Sequence, residues 1–264
     1  MKPEKRYALV TGANRGLGYE VCRQLAQDGF SVILTSRDAR EGLSAVQRLT
    51  AERLPVEYRR LDVQNTDTIA ELVTDLADSG RVLDLLVNNA AVSMNGFNAE
   101  VAQTTVAVNF FGAMHVTDAL SDQIADGGSI VMVSSGMGEL SGLPSAALRA
   151  AFADDTLTRE KLVALMNRFV DDVAAGRHEA AGWPSSAYRV SKVGLNALTR
   201  ILSREFVLRR IRVNSACPGW VRTRMGGTSA PRTVETGAAS IVWPALADRF
   251  VTGGFYRDGR QLAW

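Results

Sequence analysis

Apolar runs of strand length alternate with helical patterns along most of the chain. Six runs occupy residues 7–11, 32–36, 56–61, 83–88, 129–134 and 212–216, and a short last strand is expected near 254–256. Between them, segments such as 40–53 and 66–78 repeat apolar positions at helical spacing. Strands that alternate with helices predict a doubly wound α/β fold, in which a parallel sheet carries helices on both faces.

Length and composition fit one domain over residues 1–264. The formal net charge is only +2 and the basic residues are scattered, so no nucleic-acid surface is expected. The chain shows no apolar run of membrane length and no signal-peptide pattern, and Cys22 and Cys217 do not suggest a disulfide framework. No His and Cys residues cluster at the spacing of metal ligands. We therefore expect a cytoplasmic protein without a metal site.

A glycine-rich turn follows the first strand. Gly12, Gly16 and Gly18 separate that strand from a helical pattern through Val21 and Leu25. Strand, turn and helix in this order form a phosphate site, because glycine lets the backbone approach the pyrophosphate and the helix N-terminus faces the anion. The sequence therefore predicts a nucleotide-binding, Rossmann-type sheet.

A tyrosine and a lysine stand four positions apart near the middle of the second half. Tyr188 and Lys192 would share one face of a helix, one turn apart. A phenol has an ordinary pKa of about 10, and a nearby positive charge lowers it. Such a pair can pass a proton to or from an alcohol oxygen.

These two motifs together resemble the short-chain dehydrogenase/reductase family. The glycine turn reads Thr-Gly-x-x-x-Gly-x-Gly over residues 11–18. Further segments that resemble family motifs occur in the expected order, and they are Asp62, Asn88-Asn89-Ala90-Ala91, Asn109, Ser134-Ser135 and Pro218-Gly219-Trp220-Val221-Arg222-Thr223. The family usually has glycine at the position of Ala91, and we expect alanine to be tolerated if φ is negative there.

The resemblance implies roles for individual residues. Tyr188 would be the general acid in reduction, Lys192 would lower its pKa and hold the nicotinamide ribose, and Ser135 would orient the substrate carbonyl. Asn109 would hold a water in the proton relay, whereas Ser134 would bond main chain. Besides Tyr188 and Lys192, the implied cofactor-binding residues are Gly12, Asn14, Arg15, Gly16, Leu17, Gly18, Arg37, Asp62, Val63, Asn89, Ala90, Pro218, Gly219, Val221 and Thr223. Substrate contacts would come from Ser135, Tyr188 and Trp220.

The end of the second strand bears on the choice of cofactor. An acidic residue there would bond the ribose hydroxyls of NAD, but this chain has Arg37, and Arg15 could reach the same place. Two guanidinium groups suit a 2′-phosphate, which favours NADPH/NADP over NADH/NAD. Arg15 could also be a solvated loop residue. Asp38 could compete for Arg37 or cap the next helix.

A long segment, 136–187, separates Ser135 from Tyr188, and within it apolar positions recur at helical spacing from Leu162 to Val173. With residues 217–223, this insert resembles the carbonyl-reductase branch of the family. Shorter members pair through helices near the serine and tyrosine segments. A helix packed over that surface would leave a monomer, whereas a mobile lid would not affect assembly.

This branch implies an NADPH-dependent carbonyl reductase that acts on a ketone, aldehyde or quinone. The alternatives are an NADP-dependent secondary-alcohol dehydrogenase, an enone reductase and a catalytically silent NADP(H)-sensing protein. Retention of the four catalytic positions counts against the last. The residues Met94, Met137, Trp183 and Trp220 could line a hydrophobic substrate site, although core packing explains them nearly as well.

Overall fold

The computed structural model describes residues 5–247 and 251–264, which are built around one eight-stranded sheet. The strands are β1 (Arg6–Val10), β2 (Phe30–Ser36), β3 (Val56–Arg60), β4 (Leu83–Asn88), β5 (Ile124–Val133), β6 (Arg212–Ala216), β7 (Phe255–Arg257) and β8 (Arg260–Gln261). Their order is β3-β2-β1-β4-β5-β6-β7-β8. All neighbours pair in parallel except β7 and β8, which are antiparallel. The predicted doubly wound α/β fold is confirmed.

Helices cover both faces of the sheet. They are α1 (Gly16–Gln27), α2 (Ala39–Ala51), α3 (Thr66–Asp78), α4 (Ala99–Val106), α5 (Ala113–Ala119), α6 (Ala146–Ala153), α7 (Arg159–Ala174), α8 (Ala187–Glu205) and α9 (Val234–Leu246). Successive side chains of a strand point to opposite faces. Accordingly Leu9 lies in the core formed with α3, α4 and α8, whereas Ala8 and Val10 lie in the core formed with α1, α2 and α9.

The strand order places a ligand site at the carboxyl ends of β1 and β4. From β1 the chain moves outward through β2 to β3, and it then returns to add β4 on the other side of β1. A crevice opens where the direction of winding changes, and open α/β sheets bind their ligands there. The glycine turn after β1 and the segment Asn89-Ala90-Ala91 after β4 both lie at this edge.

The sheet departs from the predicted strands in two places. β5 begins at Ile124 rather than at 129, and its register with β4 shifts between the pairs Leu83–Ile124 and Leu85–Ser129. The residues between are Ala125-Asp126-Gly127-Gly128, which carry no strand pattern. The two-residue strand β8 was not predicted, because both of its residues are exposed.

The two helices α6 and α7 lie within segment 136–187. The predicted apolar stripe on α7 is buried at Leu162, Met166 and Phe169. Trp183 is only 1% exposed and packs edge-to-face on Phe169, with ring centroids 5.4 Å apart, and on Phe152, at 6.2 Å. Trp183 is therefore a core residue, and core packing accounts for it.

A buried carboxylate ties α7 to the segment that leads into α8. Asp172 accepts hydrogen bonds from Trp183 Nε1 at 2.9 Å and from Arg177 Nε at 2.7 Å, and Arg168 Nε lies 3.4 Å away. Burial alone would raise the pKa of this carboxyl, but the bonds from Trp183 and Arg177 outweigh burial and hold the pKa below its usual value. Asp172 thus fixes the approach to Tyr188.

We expect Asp172→Ala to lower the free energy of unfolding by about 2–4 kcal/mol, because it leaves the Trp183 N–H buried without an acceptor. The matched control is Asp171→Ala at the exposed neighbouring position, which should change stability by less than about 0.5 kcal/mol. Urea unfolding followed by circular dichroism measures both. Equal midpoints for the two variants would contradict the role assigned to Asp172.

Candidate active site

The glycine turn has the backbone that the sequence predicts. Gly12 and Gly16 have positive φ angles of 61° and 58°, which residues with a Cβ rarely adopt. Gly18 has another constraint, because a Cβ there would lie 2.8 Å from the Cα of Ala13. Leu17, between them, packs against the core on the α1 face. We refer to this glycine turn, residues 12–18, together with the start of α1 as the cradle.

The N-terminus of α1 has no side-chain cap among the described residues. Arg15 is its N-cap residue and makes no capping hydrogen bond. By contrast, α2, α3, α4, α6, α7, α8 and α9 each begin at a Ser, Thr, Asp or Asn whose side chain accepts a main-chain N–H. The first N–H groups of α1 therefore face the cradle, where an anion can accept their hydrogen bonds.

Asn89 and Ala90 support this turn. Asn89 Nδ2 donates to the carbonyl oxygens of Thr11 at 2.8 Å and Gly12 at 3.1 Å. Thr11 Oγ1 accepts the N–H groups of Asn89 at 3.0 Å and Ala90 at 2.9 Å. The Asn89 side chain is thus engaged in joining β4 to β1. Ala91 is not among the described non-glycine residues with positive φ, so the condition set for alanine is met.

The adenosine end lies beside β2 and α2. Arg37 is exposed just after β2, and Asp38 Oδ1 accepts the N–H of Glu41 at 2.9 Å. Of its two expected roles, competition for Arg37 and capping of the next helix, Asp38 therefore has the second. Arg15 is exposed, and its Nη1 lies 3.9 Å from Glu41 Oε2. Asn14 Nδ2 donates to the same oxygen of Glu41.

Asp62 and Val63 follow β3. The Asp62 carboxylate accepts the N–H of Gln64 at 3.1 Å and remains partly exposed. The Val63 side chain is buried, and a Cβ at Gly112 would lie 3.0 Å from the Cβ of Val63. Because this side chain is buried, a cofactor could contact Val63 only through its main chain.

The segment after β6 approaches the glycine turn from the other side. Thr223 Cγ2 would lie 3.7 Å from a Cβ on Gly16, which brings the two segments together. Pro218 leads into the turn at Gly219, whose φ is 78°. The Val221 side chain is buried, and Trp220 Nε1 donates to the carbonyl oxygen of Gly226 at 2.8 Å. The predicted nicotinamide segment therefore lies over the cradle.

Tyr188 and Lys192 lie one turn apart on α8, as predicted. Lys192 is 2% exposed, and its Nζ donates to the carbonyl oxygen of Val133, the last residue of β5, at 2.7 Å. Nζ lies 5.6 Å from the centre of the Tyr188 ring. Ser135 lies two residues after β5, so this ammonium joins the tyrosine helix to the strand that leads to the serine.

The pKa of Tyr188 departs from the sequence expectation. Burial raises the pKa of its phenol, and the neighbouring Ser135 hydroxyl only partly offsets this effect. Burial also lowers the pKa of Lys192 to about 8. The expected lowering of the Tyr188 pKa by Lys192 is therefore wrong for this arrangement, because desolvation dominates at both groups.

Asn109 lies in a π-helical turn, Ala107–Gly112, that joins α4 to α5. Its Oδ1 accepts the N–H of Val92 at 2.8 Å, and its Nδ2 donates to Val92 O at 2.9 Å and Ser191 Oγ at 3.1 Å. Both ends of the amide are thus engaged. The Oδ1 atom keeps a second lone pair that could accept a hydrogen bond from a relay water. π-helical turns often occur at functional sites.

The two serines after β5 differ in their surroundings. Ser135 Oγ accepts the N–H of Met137 at 3.2 Å and remains partly exposed. Ser134 donates its main-chain N–H to Ala216 O at 2.8 Å, but its buried hydroxyl has no hydrogen-bond partner among the described residues. The expected main-chain bond of the Ser134 side chain is therefore absent.

Large apolar side chains are exposed in the segments that follow β4, β5 and β6. Trp220 is 57% exposed, Met94 40% and Met137 38%, so core packing does not account for these three. Met225, which sequence reasoning missed, is also exposed. Sequence reasoning also missed Glu41, although its place three residues after Asp38 and close to Arg37 could have indicated it.

Two broader features concern the described part of the chain only. Within residues 5–247 and 251–264, no three His, Cys, Asp or Glu side chains are grouped so that they could hold a metal ion. None of the helices in these ranges combines the length and apolar character needed to cross a membrane.

The lowered pKa of Lys192 predicts that burial of its charge lowers the free energy of unfolding in a pH-dependent way. The folded pKa of about 8 lies below the ordinary 10.5, so the unfolded chain binds more protons between these values and wild-type stability rises with pH there. We expect Lys192→Met to stabilise the cofactor-free protein at pH 7 by on the order of 2 kcal/mol, after loss of the Val133 bond. This gain should vanish towards pH 10.5.

Urea unfolding at several pH values measures this effect. Lys161→Met, at an exposed position, is the matched control and should show no such pH dependence. A Lys192→Met effect that stays constant from pH 7 to pH 10.5 would disprove the assigned cost of burying the charge.

Comparison with known proteins agrees with this arrangement. Family models described as "short chain dehydrogenase" and "Enoyl-(Acyl carrier protein) reductase" match residues 6–151 and 173–246. Carbonyl reductase [NADPH] 1 of Mus musculus is 40% identical over 280 residues, covering 100% of both chains. The Homo sapiens protein of that name is 40% identical over 251 residues, covering 90% of each. Salutaridine reductase from Papaver somniferum superposes with a TM-score of 0.89 at 32% identity, over 96% of this chain and 99% of that one. The chain therefore belongs to the short-chain dehydrogenase/reductase family.

Proposed function

We propose that this protein is an NADPH-dependent carbonyl reductase. The observation that carries the proposal is the Tyr188 phenol beside Ser135, with Lys192 one turn further along α8, buried and bonded to the strand that leads to Ser135. The relatives named carbonyl reductase [NADPH] 1 support the same assignment over the full length of the chain. The reaction is hydride transfer to a ketone, aldehyde or quinone.

The cradle fits a dinucleotide. The positive φ angles of Gly12 and Gly16 form the tight turn, and the uncapped N–H groups of α1 can bind the pyrophosphate. Arg37 and Arg15 supply positive charge at the adenosine end, which supports a cofactor with a 2′-phosphate. Thr223 and Val221 lie on the opposite segment, at the proposed nicotinamide end. When bound, NADPH supplies the hydride.

The chain's own residues supply orientation and the proton. Ser135 Oγ and the Tyr188 hydroxyl hydrogen-bond the carbonyl oxygen of the substrate and thus favour the negative charge that develops on it. Tyr188 then donates its proton to that oxygen. The positive charge of Lys192 stabilises the phenolate that remains, and Asn109 supports the site by holding Val92 and Ser191.

The raised pKa of Tyr188 is consistent with its role as a proton donor in reduction. A phenol whose pKa is raised by burial stays protonated at neutral pH, and it is therefore ready to donate a proton. Alcohol oxidation would need the phenolate. Reduction of an activated C=C bond does not need a phenol, and a silent cofactor sensor would be expected to lose part of the set that this chain retains.

The exposed apolar residues support a hydrophobic substrate. Trp220, Met137 and Met94 offer an aromatic face and two flexible thioethers outside the packed core. These side chains suit a flat or hydrophobic carbonyl compound, which they can contact without a charged partner.

A cytoplasmic monomer completes the proposal. In our interpretation, segment 136–187 is an insert that covers the surface through which shorter family members pair. Supporting contacts come from α7: Phe169 lies 6.5 Å from Phe97 between ring centroids, and a Cβ at Gly194 would lie 2.9 Å from Met166 Cε. With α7 seated on α8, that face is no longer open to a second subunit.

The proposal is tested by the loss of NADPH absorbance with a panel of aldehydes, ketones, quinones and enones, with NADH in parallel. We expect turnover of carbonyl compounds with NADPH strongly preferred. Turnover confined to enones would replace the proposal with enone reduction. NADPH binding without turnover across the panel would favour a sensor.

We expect Tyr188→Phe to reduce kcat by on the order of 10²–10⁴-fold, because the proton donor is lost. NADPH affinity should change little, since the ring and its packing remain. The control Tyr7→Phe removes a phenol at the amino end of β1, away from the cradle, and should retain turnover. Near-wild-type turnover by Tyr188→Phe would refute the assigned role.

We expect a single species with the mass of one chain, 28.5 kDa, because α7 covers the pairing surface. Size-exclusion chromatography with light scattering measures this mass. A stable dimer or tetramer across the accessible concentration range would overturn the proposed effect of the insert.

A further inference from the structure

A carboxylate lies among the basic groups at the adenosine end of the cradle. Glu41 is the third residue of α2, and its half-exposed side chain turns towards the glycine turn. Glu41 Oε2 accepts a hydrogen bond from Asn14 Nδ2 and lies 3.9 Å from Arg15 Nη1. A glutamate at this helix position often bonds back to the start of its own helix. Here it bonds to the turn after β1 instead.

The charged residues around Glu41 differ in whether they already have a partner. Asp38 directs its carboxylate at the N–H of Glu41 and is thereby committed to the helix cap. Within the described part of the chain, Arg15 forms an ion pair with Glu41, and Arg37 forms none. Glu41 is thus the acidic group placed to neutralise the guanidinium that a 2′-phosphate would use.

The same two donors cannot serve two anions equally well. A phosphate monoester near neutral pH carries close to two negative charges and seeks planar guanidinium and amide donors. Glu41 already takes the Asn14 N–H and faces Arg15. A bound 2′-phosphate would therefore displace the carboxylate or stand beside a like charge. NADH has no such phosphate and meets no such competition.

We propose that Glu41 is a resident anion that competes with the cofactor's 2′-phosphate for Asn14 and Arg15 and so limits the preference for NADPH over NADH. The inference rests on the proposed NADPH function. Glu41 is in this view a specificity-determining residue that weakens, rather than creates, cofactor selectivity. Its removal should improve binding of the phosphorylated cofactor alone.

The test is the dissociation constant of NADPH and of NADH for Glu41→Gln, measured by calorimetry on the full chain. Glutamine keeps the shape and can still accept the Asn14 hydrogen bond, so the change isolates the charge. We expect NADPH to bind roughly three- to tenfold more tightly and NADH to bind unchanged. The gain should shrink at high salt, because exposed charges are screened.

Two further variants separate the possible outcomes. Glu71→Gln removes an exposed charge on α3, away from the cradle, and should leave both constants unchanged. Arg37→Ala should weaken NADPH binding much more than NADH binding. Thermal unfolding of each variant checks that all of them fold.

Three results would count against the inference in distinguishable ways. If the wild type prefers NADPH and Arg37→Ala weakens it, but Glu41→Gln leaves NADPH affinity unchanged or lower, the inference alone fails. If Glu41→Gln weakens NADH binding, Glu41 is a ribose ligand and not a competitor. If the wild type binds both cofactors equally and Arg37→Ala changes neither, the proposed cofactor fails together with the inference.

Discussion

A single buried ammonium organises the centre of this molecule. The side chain of Lys192 extends from α8, one turn after Tyr188, and donates a hydrogen bond to the last carbonyl oxygen of β5. This bond links the helix that carries the phenol to the strand that ends two residues before Ser135. Burying a charge in this way is unfavourable, as the lowered pKa of Lys192 indicates. A residue chosen for stability alone would be apolar here, so the arrangement reflects the chemistry that the site performs.

Burial also changes the pKa of the proton donor Tyr188, one helical turn away. Desolvation acts on Tyr188 and Lys192 in opposite directions, because one is charged when it loses a proton and the other when it holds one. Both shifts favour the neutral forms. The two groups form one buried unit, in which a bound substrate and cofactor, by adding charge and hydrogen bonds, can change the protonation equilibria. Asn109 and Asp172 stabilise this unit from outside, through Ser191 and through the segment that begins α8.

The sequence was a good guide where a feature depends on neighbours along the chain. Strands buried on both faces are recognisable as apolar runs, and the glycine turn and the Tyr188–Lys192 spacing are local patterns. The first half of β5 could not be predicted, because Asp126 and two glycines interrupt the pattern there. Features that depend on distant residues were also out of reach. The engagement of Asn109 with Val92 and the direction of the Tyr188 pKa shift both follow from tertiary packing and burial.

The uncapped start of α1 has a consequence for the lifetime of the protein. A helix whose first N–H groups have no acceptor from the chain is less stable at that end, and an anion that binds there completes it. Ligand binding therefore contributes directly to folding stability, by an amount that grows with ligand concentration. Since proteases act on transiently opened chains, the abundance of such a protein in a cell would follow the supply of its cofactor. The start of α1 would thereby also couple degradation to the concentration of the cofactor.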